Sequence, residues 1–203
     1  MNKKHLMEIE DSHLANVYQK FPICICRGKG ALVYDEKGRE YIDCMGGYGV
    51  SLVGYCHPKI VKAITEQCNK LTACHSSLYN NVRAELLEKL LRILPKSLDK
   101  VFLSNSGAEA VECALKLAVK YTGKNKFIAM IRGYHGKTLG ALAATWNPKY
   151  RKDFQEILPP IFKFVPFGKL EKVRNAISNE IAGILVEPIQ GEGGVHVAPN
   201  GFL

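Results

Sequence analysis

Three short stretches hold residue types at spacings that can do chemistry. In Leu103-Ser104-Asn105-Ser106-Gly107-Ala108-Glu109-Ala110, Ser106 and Glu109 stand at capping-box spacing where an apolar run meets an amphipathic one. A helix starting there offers unpaired N–H groups at its positive dipole end, suited to a phosphate, and Gly107 lets the backbone approach the ligand closely. The same residues also describe an ordinary capped helix. Arg132-Gly133-Tyr134-His135-Gly136-Lys137-Thr138 sets an aromatic ring and an imidazole between glycines. Its Gly-Lys-Thr invites a nucleotide P-loop, but that motif needs a glycine where Ile131 stands, so the P-loop is excluded. Tyr134 then reads either as a ring that stacks on a flat cofactor or as a packed core tyrosine. The third stretch, Val186-Glu187-Pro188-Ile189-Gln190-Gly191-Glu192-Gly193-Gly194, delivers two carboxylates into a glycine-rich turn, where acids are otherwise merely solvated.

Positioning these stretches requires strands that end at them. Val101-Phe102-Leu103, Phe127 to Ile131, Ile161 to Val165 and Gly183 to Val186 are short apolar runs. Between them lie helical patterns, one with Ala108, Val111, Leu115 and Ala118 on one face, one near residues 137–145 and one near 170–177. Such alternation predicts an α/β domain with a largely parallel sheet, in which ligands sit at the carboxyl ends of strands. The three loops together would then build one pocket. Upstream, residues 31–43 predict a hairpin around Lys37-Gly38. A glycine-rich stretch comes next, then a helix opened by Pro58 and running to about Leu71. A second amphipathic helix carries Val82, Leu86, Leu87, Leu90 and Leu94 and stops before Pro95.

The 203 residues are 47% hydrophobic and 23% charged, the balance of a globular protein rather than a disordered one. No apolar run reaches the length of a membrane span, and Glu8, Glu10 and Asp11 come too soon after the first residues for a signal peptide. A cytoplasmic protein with no membrane association is therefore expected. Seven cysteines without Cys-x-x-Cys spacing, and scattered histidines, predict neither a disulfide framework nor a metal site. The cysteines read as small core residues. The net charge of +9 attracts anionic partners. Without an aromatic-interleaved or zinc-finger pattern it reads as a solvated lysine-rich face, not a nucleic-acid surface.

The chain resembles the class III aminotransferases that depend on pyridoxal phosphate, and within them the acetylornithine and lysine-biosynthesis branch. The likeness runs from about Tyr34 to Leu203. It rests on Tyr41-Ile42-Asp43-Cys44, Gly54-Tyr55-Cys56-His57-Pro58, Ser76-Ser77-Leu78-Tyr79, Ser106 to Ala110, Gly133 to Gly136 and Val186 to Gly194, in that order. The resemblance implies an α/β protein of the type I pyridoxal-phosphate-dependent transferase fold, with a large domain like that of aspartate aminotransferase, here truncated. Residues 1–50 would lend a hairpin segment to the small domain, and 51–203 would form the first part of the large one. Ser106, Gly107 and Ala108 would hold the cofactor phosphate, Tyr134 would stack on the pyridine, and Glu187 would lie near the cofactor. Lys137 would bind the substrate α-carboxylate, Glu192 would gate between the two substrates, and Tyr48 and Ser77 would approach substrate or a partner subunit.

Two departures matter. Lys137 stands where the family usually has arginine, exchanging a planar fork for a point charge. The family's Schiff-base lysine, and the aspartate that pairs with the pyridine nitrogen, lie beyond the position matching Leu203. The resemblance therefore implies the N-terminal half of such an enzyme, without a catalytic lysine and inactive alone. The whole enzyme would be a homodimer moving the terminal amino group of acetylornithine, or of a lysine or ornithine precursor on a small acidic carrier protein, to 2-oxoglutarate. A 4-aminobutyrate or other ω-amino-acid aminotransferase is the alternative, and a non-catalytic cofactor-binding remnant is a third.

Overall fold

The computed structural model describes residues 3–203; Met1 and Asn2, which open the N-terminal segment, lie outside the described residues. The chain divides into two compact units, Met1–Leu86 and Leu87–Leu203.

In the first unit α1 (Lys3–His13) precedes three antiparallel strands in the order β1 (Ile25–Lys29), β2 (Leu32–Asp35) and β3 (Glu40–Ile42). The expected hairpin is β2–β3, with Gly38 at φ 77° in its turn. Strand β1 escaped the sequence reading because Ile25-Cys26-Arg27-Gly28-Lys29 does not alternate cleanly, and its register shifts between Ile25 and Arg27. Its glycine is a packing requirement, since a Cβ on Gly28 would lie 2.8 Å from the Tyr55 side chain. The glycine-rich stretch makes one irregular turn, α2 (Gly46–Gly49), in which Gly47 and Tyr48 both take left-handed angles. Helix α3 (Pro58–Cys68) starts on its proline as expected, and the division between the units falls within the next helix, α4 (Asn81–Ile93).

Asp35 ties the hairpin together. Its Oδ1 accepts the N–H groups of Lys37 and Arg39 at 3.0 and 2.9 Å, and its Oδ2 accepts Arg39 Nε–H at 2.8 Å and the Tyr41 hydroxyl at 3.0 Å. Burial alone would raise this carboxyl, but the Arg39 guanidinium and the other donors outweigh it and bring the pKa down to about 2.

The second unit holds the core. Ser106 caps α5 (Gly107–Thr122), which ends on Gly123 in the left-handed region. Strand β4 (Lys126–Met130) is central and parallel to β5 (Phe162–Val165) on one side and β6 (Ile181–Leu185) on the other. Phe127, Ile128, Ala129 and Met130 in succession are buried, the unbroken apolar run of a strand covered on both faces. Each large side chain among them contributes about 1.5–3 kcal/mol. Ile128 and Met130 pack with Val165 and with Val173 and Ala176 in and after α8 (Leu170–Arg174). Helix α6 (Leu139–Ala144) packs Leu142 and Ala143 on Leu158, with Tyr150 of the short α7 (Pro148–Arg151) and Phe162 against them. The two-residue strands β7 (Ile189–Gln190) and β8 (His196–Val197) form a terminal hairpin.

Two expectations are corrected. Val101-Phe102-Leu103 forms no strand; the segment joins no ladder among the described residues, and Phe102 and Leu103 are exposed. None of the seven cysteines is buried. Six of them lie in the first unit, whereas the buried apolar side chains among the described residues all lie from Leu115 onward.

Because Asp35 has a folded-state pKa below the unfolded value of about 3.9, its contribution to stability is present above pH 4 and is lost as pH falls toward 2. A carboxyl-carbon NMR titration should place Asp35 near 2, and Arg39→Ala should move it back toward the ordinary carboxylate range. An identical titration in that variant would contradict the assignment.

Candidate active site

The second unit brings its predicted site residues together, although the first of the three loops is not preceded by a strand. Ser106 takes extended angles and its hydroxyl accepts the Glu109 N–H at 3.2 Å, while Glu109 Oε2 accepts the Asn105 N–H at 2.7 Å. This is the capping arrangement read from sequence, with the return bond shifted by one residue. It leaves the N–H groups of Gly107 and Ala108 without an intrahelical acceptor, and the space a Cβ on Gly107 would enter is open.

The second loop is pressed against that helix start. Gly136, at φ 131°, has room for no side chain: a Cβ there would lie 2.7 Å from the Ala108 Cβ and 3.0 Å from that of Ala141. The loop joins the third stretch through Glu187, whose Oε2 accepts the Tyr134 N–H at 3.0 Å. Burial pushes the Glu187 carboxyl above its usual range, and the N–H groups of Tyr134 and Gly191 pull the other way without cancelling it. His135 is depressed by burial, its Nε2 is buried without a partner, and its own N–H is taken by Thr145 Oγ1 at 2.9 Å.

Four residues that shape the site were not singled out in the sequence. Glu112 projects from α5, and its Oε1 accepts the Thr138 hydroxyl at 2.7 Å and the N–H groups of Gly140 and Ala141 at 2.8 and 3.1 Å. It thereby caps a neighbouring helix, α6, which has no cap of its own from Thr138. Thr145 is fully buried and bridges His135 to the carbonyls of Gly136 and Ala141. Gln190 Nε2 donates to the Ile131 carbonyl at 2.9 Å, leaving its buried Oε1 unpaired. Tyr150 donates its hydroxyl to Glu192 Oε1 at 2.7 Å. The links of Glu112, Tyr150 and Gln190 join positions 26 to 59 residues apart, and no local spacing announces them; those of Thr145 span 4 to 10 residues.

A cavity of about 240 Å³ opens between Gly133, Tyr134, Trp146 and Glu192. Arg132 enters it from the left-handed region at φ 68°, with its NH1 3.1 Å from His196 Nε2. A Cβ on Gly193 would strike the Arg132 carbonyl, so that glycine is required for the turn to close on β4. Lys137 is exposed, with its Nζ 5.7 Å from the centre of the Tyr150 ring. Tyr48 belongs to the first unit, where it is 84% exposed.

Open backbone donors at a helix start, a half-buried ring on the adjoining loop and a strand-end acid are thus brought together in the second unit. The family model described as Aminotransferase class-III matches residues 13–203, and the chain belongs to that family. Its members depend on pyridoxal phosphate. Among relatives, the chain is 46% identical to the acetylornithine aminotransferase of Methanopyrus kandleri over 97% of its own length and 50% of that protein's. It is 44% identical to the [LysW]-aminoadipate semialdehyde transaminase of Deinococcus radiodurans, over 100% and 47% respectively. The ornithine aminotransferase structure from Toxoplasma gondii superposes with a TM-score of 0.92 at 29% identity, covering 99% of this chain and 49% of that one. The fold is thus that of the pyridoxal-phosphate-dependent aminotransferases, and the chain spans about half the length of the curated relatives it matches. Among the described residues no helix is long and apolar enough to cross a membrane, and no three His, Cys, Asp or Glu side chains cluster as metal ligands.

Glu112→Ala should cost about 1–2 kcal/mol, the range for losing a helix cap, in urea denaturation of the full-length gene product. Exchange of the Gly140 and Ala141 amides should quicken. Glu112→Gln keeps an acceptor and should lose less; equal stability of the alanine variant and the parent would show that the cap contributes nothing.

Proposed function

We propose that these residues are the N-terminal, cofactor-cradling portion of an aminotransferase. Its reaction moves the terminal amino group of acetylornithine, or of a lysine or ornithine precursor carried on a small acidic protein, to 2-oxoglutarate, giving a semialdehyde and glutamate. The observation that carries the reading is the junction of α5, the Tyr134 loop and Glu187, made by the Ala108–Gly136 contact and the Tyr134–Glu187 hydrogen bond. The names of the relatives support the substrate class, and the net charge of +9 suits an acidic carrier.

The residues present fit pyridoxal phosphate. Gly107 and Ala108 would donate their N–H groups to its phosphate at the positive end of α5, with Ser106 fixing that helix start. Tyr134 would lay its ring against the pyridine, on the loop that Glu187 holds. When bound, the cofactor supplies an electron sink and a carrier for the amino group. Lys137 attracts the substrate α-carboxylate as a point charge, without the directional demand an arginine fork would impose. Glu192 would gate between the two substrates. By the family likeness, Tyr48 belongs to a segment that approaches substrate or a partner subunit. No lysine of this chain is assigned the covalent step. The working form is a cytoplasmic homodimer in which residues 1–50 serve the small domain and 51–203 the large one.

Gly107→Pro tests the phosphate site. Proline suits the first helical position, the Ser106 angles of φ −151° and ψ 160° tolerate a proline at the next position, and one N–H is lost. Losing a hydrogen bond to a charged group is worth about 1.5–3 kcal/mol, so pyridoxal phosphate titrated by absorbance into the full-length product should bind at least tenfold more weakly. Gly107→Ala, which keeps the N–H, should bind nearly as the parent. Parent-like binding by the proline variant would remove Gly107 from the site.

A further inference from the structure

Tyr150 touches three of the residues assigned above. Its hydroxyl donates to Glu192 Oε1 at 2.7 Å, the Lys137 ammonium stands 5.7 Å from its ring centre, and its ring meets that of Tyr134 edge-on, centroids 5.9 Å apart at 72°. The phenol is held firmly. Asn147 caps α7 by accepting the Lys149 N–H at 3.0 Å, Pro148 opens the turn, and the Tyr150 ring packs on the cluster of Leu142, Ala143 and Leu158.

The geometry points to Tyr150 as a positioning residue that sets carboxylate selectivity, fixing the Glu192 carboxylate in relation to the Lys137 ammonium through one rigid phenol. The cation stands over the ring at 5.7 Å, within range of its π face, and the anion is held at the hydroxyl by a charge-assisted hydrogen bond. A substrate carboxylate drawn to Lys137 therefore meets Glu192 in a defined place. Without the hydroxyl, Glu192 is released to compete with that carboxylate for Lys137. This rests on the assignment of Lys137 to carboxylate binding.

The test uses the full-length gene product with pyridoxal phosphate bound, and glutarate, a dicarboxylate with no amino or keto group, as the calorimetric probe. Tyr150→Phe keeps the ring and removes the hydroxyl; it should weaken glutarate about tenfold and raise the KM for 2-oxoglutarate more than it lowers kcat. In a Glu192→Ala background the same change should have no further effect, because the hydroxyl acts through that carboxylate. A purely structural tyrosine would show the same loss in both backgrounds, and that result would overturn the inference. Parent-like glutarate binding by Tyr150→Phe, with Lys137→Ala binding weakly, would also overturn it while leaving the Lys137 assignment standing. Parent-like binding by Lys137→Ala would instead refute that assignment and this inference with it.

Discussion

The hydrogen bond from the Tyr134 N–H to Glu187 is the constraint on which the site depends. Strands β4 and β6 are neighbours in the sheet, but a sheet alone fixes only where they end. Each of the two strands runs out into a loop with several glycines, and such loops have many conformations to lose on folding. One carboxylate oxygen at the end of β6 selects one of them for the loop after β4. The choice has an electrostatic cost, since burial disfavours the charged form of Glu187, and the N–H groups of Tyr134 and Gly191 offset it only in part. With that loop set, Gly136 reaches Ala108, Thr145 reaches His135, and α6 receives its cap from Glu112.

Local chemistry was legible and long-range chemistry was not. The capped start at Ser106, the proline that opens α3 and the apolar run of β4 each arise from a few adjacent residues, and each stands where the sequence places it. Helix α8 stops at Arg174, earlier than its pattern suggested, and α3 ends at Cys68. Val101-Phe102-Leu103 failed as a strand because apolar character supplies a face but no ladder partner. Glu112 looked like one more polar residue on α5; only the fold shows that its carboxylate serves another helix. Tyr150 and Gln190 follow the same pattern: their partners are 42 and 59 residues away, and spacing carries no record of them. Thr145 bonds groups within ten residues, but through a loop whose path no local pattern gives.

The two units rest on different balances. The second buries a continuous strand and two apolar clusters. In the first, the one buried residue among those described is Asp35, a carboxylate held by four donors. Tyr55 extends this polar pattern, bonding Asp43 through its hydroxyl at 2.7 Å and pairing its backbone with Gly30. Two tyrosines of the family motifs, Tyr41 and Tyr55, thus act here as hydroxyl donors to aspartates and not as apolar filling.

The contact between Gly136 and Ala108 has a consequence for sequence change. A Cβ at Gly136 would meet Ala108 and Ala141 and would sit at a backbone angle that side chains rarely adopt, so the position stays glycine and Ala108 has no room to grow toward it. The same tightness lowers the entropy a bridging ligand must surrender, because the helix start and the ring-bearing loop are already in register before anything binds.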